Sequence, residues 1–148
     1  MLAQRMPAGF RESTDVLQSL RILVVEDDPE TRQFYAGVLA ADGFQTHEAH
    51  NGFQAFAKAI ETRPDLVLTD IAVPGLDGIE LCRRLRADPR TSSVRVLAVT
   101  GYDDRHYPDR ALEAGADHVL LKPLDPAVLV SEVRRLVARP QPVTTDAR

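Results

Sequence analysis

The feature that most constrains the fold is the alternation of short apolar runs with longer segments of helical pattern. Residues 22–25 consist only of isoleucine, leucine and valine. Strands without polar alternation are typical of parallel sheets, which are buried on both faces. Nearly apolar runs recur at residues 66–69, 94–99 and 119–121, and a half-polar run covers 44–49. Five such β/α units predict an α/β protein with one five-stranded parallel sheet covered on both faces.

Helices are predicted between the strands, and their ends carry sequence signals. Asp28 and Asp125 each precede a proline, so a capping side chain stands next to a residue suited to the first helical position. Gly43 and Gly115 stand where helices are expected to end. The predicted helices cover residues 29–41, 52–62, 78–87, 110–114 and 126–138.

One domain is expected, because 148 residues can enclose a single hydrophobic core without disulfides or structural metals. The predicted domain spans residues 20–139. Residues 1–19 mix proline, glycine and hydroxyl side chains with charges, which predicts a flexible arm or a weak helix. Residues 140–148 predict a disordered tail.

Charge and cysteine content narrow the range of functions. A net charge of −4 gives no electrostatic reason to expect nucleic-acid binding. The one cysteine, Cys82, excludes an internal disulfide, and its place near an apolar helix face favours a buried side chain over a catalytic thiol. No apolar stretch reaches the ~18 residues of a membrane span, and the opening residues lack a signal-peptide segment. A cytoplasmic protein without membrane association is therefore expected.

Polar residues follow four of the five predicted strands. Glu26 and Asp27 follow the first strand, Asp70 the third and Thr100 the fourth, and the fifth runs into Lys122. The ligand site of an open α/β sheet lies outside the carboxyl ends of its strands, so these side chains should share one edge. Each alone has an ordinary explanation as a cap, a strand end or a surface group. Those explanations do not predict all four strand ends together.

The chemistry of this set suits phosphoryl transfer with Mg²⁺. Carboxylates packed together repel one another unless a cation lies among them. Hard oxygen ligands suit Mg²⁺, which binds through one or two carboxylates plus a phosphate. A carboxylate can attack phosphorus to give an aspartyl-phosphate. A metal, an ammonium and a hydroxyl could each hold one phosphoryl oxygen.

Together these segments resemble the response-regulator receiver family. The resemblance covers about residues 21 to 138, and the ordered combination of motifs is what makes it specific. The motifs lie at residues 22–29, 64–78, 98–101 and 115–117, and at Lys122 with Pro123. The resemblance implies a doubly wound (βα)5, flavodoxin-like three-layer sandwich with strand order 2-1-3-4-5.

The resemblance also implies roles for the acidic residues. Asp70 would be the nucleophile and the phosphorylation site. Asp27 and Asp70 would ligate Mg²⁺ directly, and Glu26 would act mainly through water. The carbonyl of Ala72 would be the remaining protein ligand.

Two further residues would hold the phosphoryl group, Thr100 through a hydrogen bond and Lys122 through an ion pair. The peptide between Lys122 and Pro123 is expected to be cis, an uncommon state even for proline. Asp28 falls outside the acid pair of the family and is assigned to capping the first helix.

One position departs from the family pattern. Receivers usually carry tyrosine or phenylalanine three residues before the lysine, whereas this chain has Val119, which has no ring to swing. Phosphorylation would then draw in Thr100 and signal through the loop and helix that follow it. Tyr102 either contributes to that switch or only shields the site and tunes hydrolysis.

The implied function is that of a single-domain response regulator. It would accept a phosphoryl group on Asp70 from a histidine kinase or a histidine phosphotransfer protein, and then switch binding of a downstream protein target or relay the phosphate. It is expected to be a signalling phosphoacceptor rather than an enzyme, with Mg²⁺-dependent self-phosphorylation from small donors and self-dephosphorylation. One alternative is a degenerate receiver that acts as a phosphorylation-independent scaffold. Another is a haloacid-dehalogenase-like phosphohydrolase, which would need an aspartate at Ala72.

Three further sequence features give weaker signals about function. His47 and His50 invite a metal site, but no third ligand is near in sequence. The arginine-rich stretches at residues 83–86 and 134–135 predict solvated helix faces. A weak homodimer through the last helix stays open, although its apolar residues should mainly pack on the sheet.

Overall fold

A computed structural model describes residues 20–101 and 107–139 of the chain. The strands are β1 (Arg21–Val25), β2 (Gln45–Ala49), β3 (Leu66–Asp70), β4 (Arg95–Gly101) and β5 (His118–Lys122). The helices are α1 (Pro29–Ala41), α2 (Gly52–Thr62), α3 (Gly78–Ala87), α4 (Tyr107–Glu113) and α5 (Pro126–Ala138). The arm and tail predicted at residues 1–19 and 140–148 lie outside the described residues, as does Tyr102.

All five strands are parallel and lie in the order β2-β1-β3-β4-β5. Helices α1 and α5 pack on one face of the sheet, and α2, α3 and α4 pack on the other. The predicted α/β fold and strand order are therefore confirmed.

The apolar composition of β1 follows from this layering. Ile22 and Val24 belong to the core on the α1 side, whereas Leu23 and Val25 belong to the core on the α2 side. All four side chains are buried, so each contributes about 1.5–3 kcal/mol by leaving water. A polar residue at any of these positions would lose its hydration inside one of the two cores.

The capping signals act as expected. The carboxylate of Asp28 accepts a hydrogen bond from Thr31 N at 2.9 Å, and that of Asp125 accepts one from Ala127 N at 2.8 Å. Gly43 and Gly115 adopt φ values of 104° and 114°, in the region that favours glycine.

Cys82 is buried in the core, and burial raises the pKa of its thiol to about 11. No helix in the described ranges has the length and apolar character needed to cross a membrane.

The prediction that residues 83–86 form a solvated face was wrong for Arg86. Its guanidinium donates hydrogen bonds to Gly115 O at 2.8 and 3.0 Å and to Val94 O at 2.5 Å. It also pairs with Asp117 at 3.0 Å. Because these acceptors come from the loops before β4 and β5, Arg86 ties the end of α3 to the loop that directly follows it and to a second loop 29 residues further along the chain.

Candidate functional site

Four neighbouring strands, β1, β3, β4 and β5, bring the predicted site residues to one edge of the sheet. Asp70 is the last residue of β3 and pairs with Val99 of β4, directly before Thr100. Lys122 is the last residue of β5 and pairs with Gly101. Glu26 comes directly after β1, which lies beside β3. The parallel register thus gathers these side chains at the carboxyl ends of the strands.

The centre of the site is an ion-paired triad of Lys122, Asp70 and Glu26. Lys122 Nζ lies 2.5 Å from Asp70 Oδ2 and 3.4 Å from Glu26 Oε1. The side chains of Asp70 and Glu26 are only 9% and 3% exposed, whereas that of Lys122 is 33% exposed. The two acids are therefore enclosed, whereas the lysine that pairs with them reaches solvent.

The backbone around Asp70 fixes its second carboxylate oxygen. Asp70 Oδ1 accepts a hydrogen bond from Ala72 N at 2.9 Å. The start of α3 packs against this turn, where Gly78 N donates to Ile71 O at 2.8 Å. A Cβ atom at Gly78 would lie 2.7 Å from Asp70 O, so only glycine allows this approach. The chain after β3 thus holds the Asp70 carboxylate in one orientation.

Burial raises the pKa of Glu26 to about 7, because the charged form loses hydration. The amide of Asp28, which donates to Glu26 Oε2 at 3.1 Å, and the charge of Lys122 lower that pKa, while the charge of Asp70 raises it further. Burial lowers the pKa of the Lys122 ammonium, but its hydrogen bond and ion pair with Asp70 and the charge of Glu26 outweigh this and leave it raised. The site thus holds excess negative charge that one ammonium does not fully neutralise.

The remaining predicted residues occupy the expected elements. Thr100 is buried near the end of β4, whereas Asp27 and Ala72 are exposed in the loops after β1 and β3. The peptide between Lys122 and Pro123 is cis, as expected. Val119 is half-buried and packs against the core.

The donor set fits Mg²⁺ better than a transition metal. Within residues 20–101 and 107–139, no three histidine, cysteine or acidic side chains converge to hold a metal by themselves, which also disfavours a site at His47 and His50. Mg²⁺ does not need such a cage, because it binds through one or two carboxylates, other oxygens and water. Glu26, Asp27 and Asp70 supply only oxygen, and their charge exceeds that of Lys122.

A groove of about 600 Å³ opens beside Lys122, between α1 and the loop after β5. Its wall combines the lysine with apolar side chains, among them Phe34, which is half-exposed, and Tyr35, which is buried.

Residues 22–134 match the response regulator receiver domain family. The chain belongs to this family. Receiver domains are signalling domains, and phosphorylation and Mg²⁺ are typical of them.

Relatives of known sequence or structure include both regulators and kinase-attached receivers. The DNA-binding response regulator MtrA of Mycolicibacterium smegmatis is 43% identical over 119 residues, which are 80% of this chain and 51% of MtrA. The receiver domain of a signal transduction histidine kinase from Syntrophus aciditrophicus is 37% identical with a TM-score of 0.76, over 81% of this chain and 91% of that one. The receiver domain of sensor histidine kinase PA1611 from Pseudomonas aeruginosa has a magnesium ion coordinated in its active site cleft; it is 29% identical with a TM-score of 0.76, over 81% and 98% of the two chains. The chain spans about half the length of the MtrA relatives it matches.

Sequence reasoning missed the residues that support this receiver site from outside it. Arg32 lies one turn into α1 and contacts the backbone of Glu26, and Gly78 allows α3 to approach Asp70. The signal for Gly78 was its place directly after the helix cap Asp77. Arg32 gave no local signal, because both of its acceptors lie in other elements.

Proposed function

We propose that this receiver domain accepts a phosphoryl group on Asp70 from a histidine kinase or a histidine phosphotransfer protein. The observation that carries the proposal is the 2.5 Å contact between Lys122 Nζ and Asp70 Oδ2 inside a buried acidic site. A carboxylate held this way is oriented for attack, and the ammonium that holds it can receive negative charge from the incoming phosphoryl group.

In the proposed step, an oxygen of Asp70 forms a bond to phosphorus while the phosphorus–nitrogen bond of the donor phosphohistidine breaks. The electron pair of that bond stays with the imidazole of the donor. Lys122 transfers its ion pair from the carboxylate to a phosphoryl oxygen, and the hydroxyl of Thr100 donates a hydrogen bond to another. Mg²⁺, held by Asp27, Asp70 and the carbonyl of Ala72, would supply charge neutralisation for the phosphoryl group.

The residues proposed to hold Mg²⁺ are those at the ends of β1 and β3. Asp27 and Asp70 would ligate it directly, with the carbonyl of Ala72, while Glu26 would act through water. The exposed position of Asp27 and Ala72 at the mouth of the site supports this division, because a metal that keeps several waters needs access to solvent.

The output would be a change in binding of a downstream protein, or onward relay of the phosphate. MtrA is a DNA-binding regulator about twice as long as the matched segment, so that activity is stated for MtrA alone. The 148 residues here carry a net charge of −4, which supports a protein target over nucleic acid. With Val119 in place of a ring, we infer that the signal passes from Thr100 into the segment after β4 and into α4.

Intact-mass measurement tests the phosphoacceptor. The full chain is incubated with acetyl phosphate, with Mg²⁺ or with a chelator, beside Asp70→Asn and the control Asp109→Asn, whose carboxylate is exposed on α4. A single phosphate adduct that requires Mg²⁺, persists in the control and is absent from Asp70→Asn is expected. An adduct that survives Asp70→Asn would contradict the assignment. Absence of both an adduct and beryllofluoride binding in the folded protein would favour the scaffold alternative.

A further inference from the structure

The side chain of Arg32 on α1 connects the loop after β1, which carries Glu26, to the neighbouring strand β2. This side chain is only 17% exposed. Nη1 donates to the backbone oxygen of Glu26 at 3.0 Å, and Nε donates to Glu48 Oε1 at 3.0 Å. One guanidinium therefore connects the loop after β1 with the end of β2. A planar fork of donors suits this double contact, and a lysine cannot reproduce it.

The contact from Arg32 completes the restraint of Glu26. Its amide donates to Ala49 O at 3.1 Å, and its carboxylate receives the Asp28 amide and the Lys122 ammonium. With Arg32 on its carbonyl, every polar group of Glu26 has a partner. That carbonyl belongs to the peptide that links Glu26 to Asp27, so Arg32 fixes the plane from which the Asp27 backbone continues.

Glu48, the other partner of Arg32, is itself anchored. Lys58 of α2 donates to the backbone oxygen of Glu48 at 2.5 Å from the opposite face of the sheet. The end of β2 is thus held by one basic residue from each helical layer. Because Glu48 neutralises Arg32, the guanidinium adds little net positive charge to the acidic site.

We propose that Arg32 is a positioning residue for the metal site, which holds the Glu26–Asp27 peptide so that the Asp27 carboxylate is presented at the sheet edge. This inference rests on the proposed Mg²⁺ site. A purely electrostatic role predicts the opposite sign, since removing a positive charge near the acids would strengthen Mg²⁺ binding. Positioning predicts weaker binding, and loss of an outer partner of a metal ligand typically costs 10–100-fold in affinity.

Mg²⁺ affinity of the full chain, measured by calorimetric titration, tests the inference. Arg32→Met is expected to weaken Mg²⁺ binding at least about 10-fold, in the range for lost outer partners. Arg32→Lys keeps the charge but not the fork and should show an intermediate loss. Glu48→Gln should weaken binding less than Arg32→Met, and should add nothing in the Arg32→Met background. The control Arg134→Met removes an arginine whose Nε pairs with Asp42 at 2.6 Å far from the site, and should leave the affinity unchanged.

Two results would overturn the inference. Unchanged or tighter Mg²⁺ binding in Arg32→Met would exclude positioning, as would an equal effect of Glu48→Gln with and without Arg32. If Arg32→Met does not fold, as judged by thermal unfolding, Arg32→Lys and Glu48→Gln carry the same comparison. Failure of the proposed function gives a different result. In that case the wild-type chain shows no saturable Mg²⁺ binding, or shows binding that Asp27→Asn does not remove, and the inference about Arg32 is overturned as well.

Discussion

Among single residues, Glu26 sets the electrostatics of the site. It is buried beside Asp70, and Lys122 approaches it only to 3.4 Å. Its pKa of about 7 lies well above the ordinary value of 4.5. Near neutral pH, the Glu26 carboxyl group of the metal-free site is therefore present in both its protonated and its charged form. A residue of this kind couples proton binding to cation binding, because both compete for the same negative charge.

Mg²⁺ binding should therefore strengthen as pH rises from 6 to 8. Below a pKa of about 7 the carboxyl group of Glu26 is mainly protonated, and a cation must displace that proton; above it the carboxylate is already formed. Titrations at pH 6, 7 and 8 measure the effect, and repeats in buffers of different ionisation enthalpy count the proton released. Glu26→Gln should lose most of this dependence. An affinity that is equally pH-dependent in Glu26→Gln would contradict the prediction.

The elements are held in place by contacts that join distant parts of the chain. Arg86, at the end of α3, serves as donor to the loops before β4 and β5. Its partner Asp117 also accepts a hydrogen bond from Val96 N at 2.8 Å, so the same carboxylate fixes the start of β4. Arg95, which is buried at the start of β4, acts similarly on α5. Its guanidinium donates to Leu136 O and Arg139 O.

Arg86→Met should destabilise the domain by about 2–3 kcal/mol, because it leaves two part-buried carbonyls without their donor and Asp117 without its ion-pair partner. The control is Arg83→Met, one turn away, whose exposed pair with Glu80 at 3.3 Å should contribute less than about 0.5 kcal/mol. Urea unfolding of both variants measures the difference. Equal losses in the two would show that the Arg86 contacts are no stronger than a surface ion pair.

The sequence predicts those elements best whose ends are marked locally. The bounds of α1, α2, α3 and α5 agree with prediction to the residue, because turn and capping residues flank them. Strand β4 runs to Gly101, beyond its expected end, because the pairing of Thr100 with Leu121 extends the ladder. The helix that follows was predicted at residues 110–114 but begins at Tyr107.

The residues of the candidate site likewise divide into those that the sequence predicts and those that it does not. Its acids, Thr100 and Lys122 could be found because strand ends are visible in the sequence. The Arg32 and Arg86 contacts could not, since their acceptors are carbonyls and carboxylates of other elements, and a local pattern carries no information about such partners. Charged helix residues are usually solvated, so the general expectation was wrong at Arg86 for a reason that only the tertiary packing supplies.

At the scale of the whole molecule, the site and the fold share their contacts. Lys122 and Glu26 are 96 residues apart in sequence and meet only when β1, β3, β4 and β5 are paired. Whatever changes the charge state of the site therefore changes the free energy of unfolding of the domain. Ligands that bind only the folded chain stabilise it by the same linkage.

The metal-free domain should accordingly lose stability as pH rises from about 5 to about 7.5. The folded pKa of Glu26 is raised from 4.5 to about 7, so in this window the folded state binds more protons than the unfolded state, and the free energy of unfolding falls with increasing pH. The lowered pKa values of Asp28, held by Thr31, and Asp88, held by Arg90, act with the opposite sign, but their contribution is complete above about pH 5. Urea unfolding in chelator across this range, compared with Glu26→Gln, isolates the effect. Wild type should decline relative to the variant, and saturating Mg²⁺ should reverse the decline. A constant difference between the two across the window would show that Glu26 titrates near its ordinary value in the folded chain.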